Sequence, residues 1–135
     1  MSTNIRFLNP AAMSKPRNYS QVVQMTAPGR IVWIAGQLGI DRAGNLTGRG
    51  DFSVQAVQVF ENLKAALAEV GADFSHVVKL NNYLADIAHL PLLREVRDRH
   101  LDPAKLPAST SVQVTAFARP DALLEIEAVA VLPAK

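Results

Sequence analysis

Two glutamates near the end of the chain are the residues best suited to moving protons. Residues 123–132 alternate as a β-strand does, which places Glu125 and Glu127 on one strand face with Val129. If a neighbouring subunit covered that face, a glutamate there would lose solvent and could act as a proton-transfer group. The same alternation also fits two ordinary exposed glutamates, so both interpretations stay open.

An arginine in the second predicted helix is another candidate. Arg97 lies seven residues after Leu90 and four before Leu101, inside the apolar stripe of that helix. Its aliphatic part could run along the edge of the core with the charge in water. Alternatively, its guanidinium could point into a cleft or a subunit contact.

Several other chemistries are excluded or lack support. The chain has no cysteine, which excludes disulfides, a thiol nucleophile and thiolate metal sites. His76, His89 and His100 lack the spacing of a metal site, and no GxSxG elbow is present. The glycines of residues 41–51 fit neither a dinucleotide-binding nor a P-loop pattern. We therefore expect no metal and no organic cofactor.

Length and composition indicate one domain that assembles with other copies. The 135 residues fit a single domain covering residues 1–135. Hydrophobic residues make up 49% and charged residues 19% of the chain. This balance leaves apolar surface that can be buried between subunits. We therefore expect an oligomer.

The charge pattern gives no reason to expect nucleic acid or a membrane as a partner. The formal charge of +2 comes from 14 basic and 12 acidic side chains, without a basic tract. Aromatic residues amount to 6% and are scattered, so Trp33 is assigned to core or interface packing. Apolar runs are far shorter than the ~20 residues of a membrane span, and the N-terminus lacks signal-peptide features. We expect a cytoplasmic protein.

The hydrophobic pattern predicts a series of short strands. They fall at residues 20–25, 30–35, 77–84, 109–117 and 123–132. Ala27-Pro28-Gly29 contains turn formers and predicts a hairpin between the first two strands. Residues 118–121 predict a second hairpin that closes the chain.

Two helices are predicted between these strands. The first begins at Ser53 and ends before Gly71, which acts as its C-cap, and the second covers residues 90–101. The predicted apolar stripe of the first helix consists of Val54, Val57, Phe60, Leu63, Leu67 and Val70. The order ββαβαββ indicates an α+β fold with both helices on one face of a mixed sheet, which leaves the other face to be covered by something else.

A set of short segments spans nearly the whole chain in a characteristic order. The segments are Tyr19-Ser20-Gln21, Ala35-Gly36-Gln37-Leu38-Gly39, Asn62-Leu63-Lys64-Ala65-Ala66-Leu67, Val70-Gly71-Ala72, Val77-Val78-Lys79, Pro107-Ala108 and Glu125-Ile126-Glu127-Ala128. Together they resemble the Rid family of reactive intermediate deaminases, also described as YjgF-like or endoribonuclease L-PSP-like.

The resemblance implies both an architecture and a chemistry. It implies a chorismate-mutase-like subunit, a homotrimer whose sheets line a barrel, and small-molecule clefts at the subunit interfaces. Family members of the best-known type hydrolyse imines and enamines to a keto acid and ammonia without a metal or an organic cofactor. In that chemistry an arginine after the Pro-Ala pair holds the substrate carboxylate, and a glutamate in the last strand positions or activates water.

Three family positions are kept in this chain, and one is not. The resemblance assigns the water-handling role to Glu125, the cleft tyrosine to Tyr19 and the small glycine beside the ligand to Gly36. The carboxylate-binding arginine falls on Ser109, because Pro-Ala-Ser-Thr stands where the deaminase pattern has Pro-Ala-Arg-Ser. A serine offers one neutral hydrogen bond in place of two charge-assisted ones.

Other cleft positions depart from the family pattern as well. Ala35 replaces a serine, Arg94 an asparagine and Ser111 a cysteine. Arg94 or Arg97 could supply the charge that position 109 lacks. The expected site therefore has Glu125 as its catalytic residue, and its expected ligand-binding residues are Tyr19, Ala35, Gly36, Arg94, Ser109, Thr110 and Ser111.

Three functions follow from the resemblance. The first is hydrolysis of an imine, an enamine or a related metabolite in an altered cleft, with a substrate other than a standard 2-imino acid. The second is a ligand-binding trimer without catalysis, which Ser109 favours. The third is an endoribonuclease or translation inhibitor, for which the sequence offers no basic or stacking surface.

Overall fold

The computed structural model describes residues 5–26 and 29–135. Three strands come first: β1 (Ile5–Leu8), β2 (Val22–Met25) and β3 (Gly29–Gln37). Helix α1 (Phe52–Glu69), strand β4 (Val77–Leu84) and helix α2 (Leu90–Asp98) follow. Strands β5 (Ala108–Gln113) and β6 (Leu124–Pro133) end the series. The predicted turn residues Ala27 and Pro28 lie outside the described residues.

Helix α1 has the ends that the sequence predicts. The Asp51 side chain accepts a hydrogen bond from the Val54 N–H at 3.1 Å, which satisfies one of the unpaired donors of the first turn. Gly71 follows the helix with φ +76°, a left-handed conformation that glycine adopts without a steric penalty. The prediction of this helix and of its glycine C-cap is confirmed.

The predicted apolar stripe of α1 is wrong at its start. Val54 and Val57 are 45% and 42% exposed. Val54 precedes Leu63 by nine residues, and at 3.6 residues per turn that is two and a half turns, so the two side chains lie on opposite sides of the helix. The buried face is formed by Phe52, Gln55, Ala56, Val59, Phe60, Leu63 and Leu67.

The main sheet is mixed and has the order β3-β6-β4-β5. Strand β5 pairs with β4 in parallel, whereas β6 pairs antiparallel with both β3 and β4. Both helices pack on one sheet face, where Leu80, Leu84 and Ile126 meet Leu63 and Leu93 in the core. The predicted α+β class and the packing of two helices on one face of a mixed sheet are confirmed.

Both predicted hairpins are wrong. In the described chain β2 pairs with β1 (Ile5–Leu8), a strand that the sequence did not indicate, and β3 pairs with β6. Strand β5 does not pair with β6, because β4 lies between them. A short connection favours pairing of neighbouring strands, but here the partner is set by the α2 crossover, which brings β5 parallel to β4.

The second helix and the fifth strand are shorter than predicted. Helix α2 ends at Asp98 instead of residue 101, although the Leu101 N–H still donates to the Arg97 carbonyl at 3.3 Å. Strand β5 ends at Gln113 instead of residue 117. These are shifts at element ends, where the pattern of apolar residues carries least information.

The sheet face opposite the helices is open in the subunit. Trp33 is 74% exposed there, and Ile31 on the same strand is exposed too. Core packing of Trp33 within the subunit is thus excluded, while an interface role stays a prediction. None of the helices in the described residues is long and apolar enough to cross a membrane.

Candidate functional site

Glu125 lies against the backbone of Gly36. The pairing of β3 with β6 shifts register between Ile34 and Gln37, a β-bulge that brings Gly36 over the neighbouring strand. A Cβ added at Gly36 would overlap the Glu125 carboxylate and would lie 2.8 Å from its Cδ. Glu125, to which the resemblance assigns water handling, and Gly36, which it places beside the ligand, are therefore in contact. Only glycine fits at position 36.

The second glutamate of the strand is fixed by two hydrogen bonds. Tyr83 donates its hydroxyl to Glu127 Oε1 at 2.8 Å, and Asn81 donates its amide to the same oxygen at 3.0 Å. The hydrogen bond to Glu127 raises the pKa of Tyr83, because it is strongest with the protonated phenol. The Glu125 carboxylate, in contrast, accepts no hydrogen bond from the residues that the structure describes, so its oxygens can bind water or a ligand.

The two glutamates line one wall of a cavity of about 300 Å³ on the open sheet face. The lining residues are Tyr83, Val114, Ala116, Phe117, Glu125 and Glu127. Carboxylates beside apolar side chains form a surface that can hold a polar water molecule close to an apolar ligand part. This side of the sheet carries the two carboxylates of the candidate site.

A second group of polar residues lies on edge strand β5. Ser109 and Ser111 are half-buried and face the same side as Asn82 of β4. Asn82 is 1% exposed and donates from Nδ2 to Ser109 Oγ at 3.0 Å, Ser111 Oγ at 3.2 Å and the Thr110 carbonyl at 3.1 Å. Sequence reasoning did not assign Asn82 to the site, although a polar residue on an apolar strand face was a usable signal.

Two further predicted residues, Tyr19 and Thr110, lie beside or in β5. Ser20 donates its hydroxyl to the Leu106 carbonyl at 2.6 Å and its N–H to the Pro107 carbonyl at 3.0 Å, which holds the half-buried Tyr19 near the start of the strand. Thr110 accepts a hydrogen bond from Lys79 Nζ at 3.0 Å. The structure thus places Tyr19 and Thr110 at the strand where the resemblance expects the ligand.

The two arginines of α2 differ in environment. Arg94 is exposed. Arg97 is only 3% exposed, so its charge does not reach water as the first interpretation required. Its guanidinium contacts Asp98 Oδ1 at 3.3 Å from Nη2 and at 3.4 Å from Nε. Burial lowers the pKa of Arg97, and Asp98 partly offsets that effect. A role for either arginine toward a ligand stays a prediction.

The sheet separates the two halves of the candidate site. Ser109 pairs with Leu80, whereas Glu125 pairs with Tyr83. Leu80 and Tyr83 are three residues apart on one strand, so their side chains point to opposite faces. Within one subunit, Gly36 and Glu125 are brought together on the open face, and Ser109 and Ser111 on the helix side.

The histidines have structural surroundings. His76 accepts a hydrogen bond from the Asp73 N–H at 3.1 Å, His89 stacks on Phe52, and His100 stacks on Phe60. Burial lowers the pKa of His100. Across residues 5–26 and 29–135, no three His, Cys, Asp or Glu side chains cluster as metal ligands would.

Comparison with known proteins identifies relatives along the whole site-bearing region. The family model described as Endoribonuclease L-PSP matches residues 10–132. Protein DfrA of Myxococcus xanthus is 42% identical over 113 residues, which are 84% of this chain and 84% of that protein. A 2-iminobutanoate/2-iminopropanoate deaminase of Mus musculus is 35% identical over 122 residues, 90% of this chain and 84% of the mouse protein.

A solved structure agrees with these relatives. The crystal structure of YyfB from Yersinia pestis, a protein of unknown function of the conserved Rid family, superposes with a TM-score of 0.87. It is 34% identical, and the match covers 96% of this chain and 99% of that one. Sequence, fold and the ordered motifs agree, and the chain belongs to the Rid family, also called YjgF-like.

Proposed function

We propose that this protein hydrolyses the C=N bond of an imine, an enamine or a related small metabolite, with water held by Glu125. The contact between Gly36 and the Glu125 carboxylate carries the proposal. The glycine leaves room for the Glu125 carboxylate close to the backbone, and the unpaired oxygens of that carboxylate can accept a proton from water. The proposed hydrolysis needs a proton acceptor of this kind held in one position.

The proposed reaction needs no redox partner. Water adds through its oxygen to the carbon of C=N while Glu125 takes one of the water protons and passes it to the nitrogen. Glu125 then takes the hydroxyl proton of the resulting carbinolamine and transfers it to the nitrogen, so that C=O forms as the C–N bond breaks and ammonia leaves. An imine and water thus give a carbonyl compound and ammonia, and an enamine enters the same route after it tautomerises to the imine.

We place the substrate cleft between subunits of a homotrimer. A ligand that touches both Glu125 and the β5 serines needs residues from opposite faces of one sheet, which a single subunit does not offer on one side. A second subunit packed on the open face would place its β5 serines beside Glu125 of the first subunit, or its Glu125 beside the β5 serines of the first. The exposed Trp33 and Ile31 on that face favour such packing.

The substrate we propose is not a standard 2-imino acid. The mouse relative is named for 2-iminobutanoate and 2-iminopropanoate. Each of these compounds has a carboxylate that an arginine can bind. Here Ser109 donates at most one neutral hydrogen bond, whereas a bidentate guanidinium contributes on the order of a few kcal/mol.

The same serine also supports the second candidate, a ligand-binding trimer without catalysis. The endoribonuclease function rests on the description of the matching family model alone and stays a prediction.

A coupled assay of ammonia release from freshly generated 2-iminopropanoate, made by a lyase that releases 2-aminoacrylate, tests the proposal. We expect slow turnover by the wild type and at least about tenfold faster turnover by Ser109→Arg, because the anion clamp returns. A neutral imine, in the same assay, should be hydrolysed by the wild type. Glu125→Gln should lower both activities about 100-fold or more, and Glu69→Gln, an exposed glutamate of α1, should change neither.

Each candidate makes a different prediction in this assay. Fast hydrolysis of 2-iminopropanoate by the wild type that needs Glu125 would show that the cleft accepts the ordinary substrate. If the wild type hydrolyses neither imine and activity appears only in Ser109→Arg, the result would favour the non-catalytic binding protein. Hydrolysis that survives Glu125→Gln unchanged would end the role proposed for that carboxylate.

A further inference from the structure

Asn82 forms a buried polar contact that the proposed reaction does not use. Its side chain reaches three oxygens of β5: the hydroxyls of Ser109 and Ser111 and the carbonyl of Thr110. It is surrounded by the apolar side of the sheet, where Leu80 and Leu84 of the same strand are fully buried. Its own Oδ1 is buried and has no hydrogen-bond partner in the described chain. A polar residue kept in this environment calls for an explanation.

The orientation of the Asn82 amide is fixed by chemistry. The Thr110 carbonyl can only accept a hydrogen bond, so the Asn82 atom 3.1 Å from it must be the nitrogen. That nitrogen therefore also faces the two serine hydroxyls. An amide nitrogen donates and does not accept, so neither serine can direct its hydrogen at Asn82.

The two serine hydroxyls are consequently left with free hydrogens. Neither Ser109 nor Ser111 donates to any group within the part of the chain that the structure describes. Both oxygens lie within 3.2 Å of one nitrogen, which keeps them close enough together to contact one ligand group. Strand β5 is the sheet edge, and both serines are half-buried, so their donors are available to a ligand.

Lys79 of β4 and Arg97 of α2 each contact a group other than this donor pair. Lys79 binds Thr110, whose side chain points to the opposite face of β5 from Ser109. The Arg97 guanidinium contacts Asp98. A carboxylate transferred to a partly buried place without a paired cation loses more hydration than two neutral hydrogen bonds return.

We infer that Asn82 is a positioning residue that presents Ser109 and Ser111 as two neutral donors for an uncharged acceptor, such as the carbonyl oxygen of an amide or ester. This group would lie where a substrate carboxylate is held in arginine-containing relatives. The inference rests on the proposed function only because it takes β5 as part of the ligand site. It names the substrate class as C=N compounds whose second polar group is neutral.

Two isosteric probes, pyruvamide and pyruvate, test the inference by NMR titration of the labelled full-length protein at matched ionic strength. We expect the wild type to bind pyruvamide at least about tenfold more tightly than pyruvate. Asn82→Leu removes the nitrogen that orients the hydroxyls and should bring the affinity ratio close to one. Ser109→Arg should invert the ratio, and Val112→Ser, which adds a hydroxyl on the other face of β5, should leave it unchanged.

The ratio distinguishes positioning from a structural role, since loss of folded protein weakens both probes equally. Equal affinities in the wild type, a preference for pyruvate, no binding of either probe, or an unchanged ratio in Asn82→Leu would each overturn the inference. A pyruvate preference that disappears in Arg94→Gln would also overturn it and assign the charge to α2. Binding needs no turnover, so the ratio of affinities tests the inference even if the proposed hydrolysis fails.

Discussion

At the scale of single residues, Gly36 decides where the Glu125 carboxylate can lie. Gly36→Ala places a methyl group on that carboxylate, so the side chain or the bulge must shift. We expect a loss of about 1–3 kcal/mol in the free energy of unfolding, and a fall in kcat/KM of about 100-fold if the carboxylate moves by about 1 Å.

A double-mutant cycle in urea unfolding checks that the cause is this one contact. In a Glu125→Ala background the overlapping atoms are gone, so Gly36→Ala should cost little further stability. An equal loss of stability in both backgrounds would show that the cost of the alanine comes from the backbone of the bulge and not from the contact with Glu125.

At the scale of elements, α1 offers a matched pair of substitutions. Val59 is fully buried, whereas Val57, two residues earlier, is exposed. Val59→Ala removes two buried carbons and should lower the free energy of unfolding by about 2 kcal/mol. Val57→Ala should change it by less than about 0.5 kcal/mol, since alanine also favours the helix. Equal losses in denaturant unfolding would contradict the observed face of α1.

The same helix shows what a sequence can and cannot predict. Periodicity was sufficient for α1 and its Gly71 end, because both depend on local backbone preferences. It misplaced the start of the buried face, where Gln55 is buried by a non-local bond: its Oε1 accepts the Leu123 N–H at 2.8 Å. The pairing of β5 with β4 could not be predicted for the same reason, as strand partners are chosen by contacts distant in sequence.

The features of the candidate site also separate into those that local sequence predicts and those that depend on contacts distant in sequence. Motif order led to Glu125, Gly36 and Ser109, because these residues occupy recognisable local segments. The contact of Gly36 with Glu125 depends on a bulge between two strands far apart in the chain, and the role of Asn82 depends on the register of β4 and β5. The contact of Gly36 with Glu125 leaves no mark in either local segment, and Asn82 stands out locally only as a polar residue on an apolar strand face, without an indication of its partners.

At the scale of the whole molecule, the placement of Glu125 and Ser109 on opposite sheet faces leads to a prediction about mixed assemblies. If each cleft takes Glu125 from one subunit and the β5 serines from the next, two inactive variants can complement each other. Glu125→Ala removes the carboxylate, and Ser111→Trp fills the space beside β5. Each pure variant should be inactive in the neutral-imine assay.

Trimers refolded from an equal mixture should recover about a quarter of wild-type activity, because each cleft draws its two halves independently from the two variants. Light scattering should give three times the 14.6 kDa of one chain for every sample. Trp33→Glu, which places a charge on the open face, should reduce this mass and abolish the recovery, whereas Val57→Glu on α1 should do neither. A wild type that stays monomeric, or mixed trimers without activity although both variants assemble, would contradict a cleft shared between subunits.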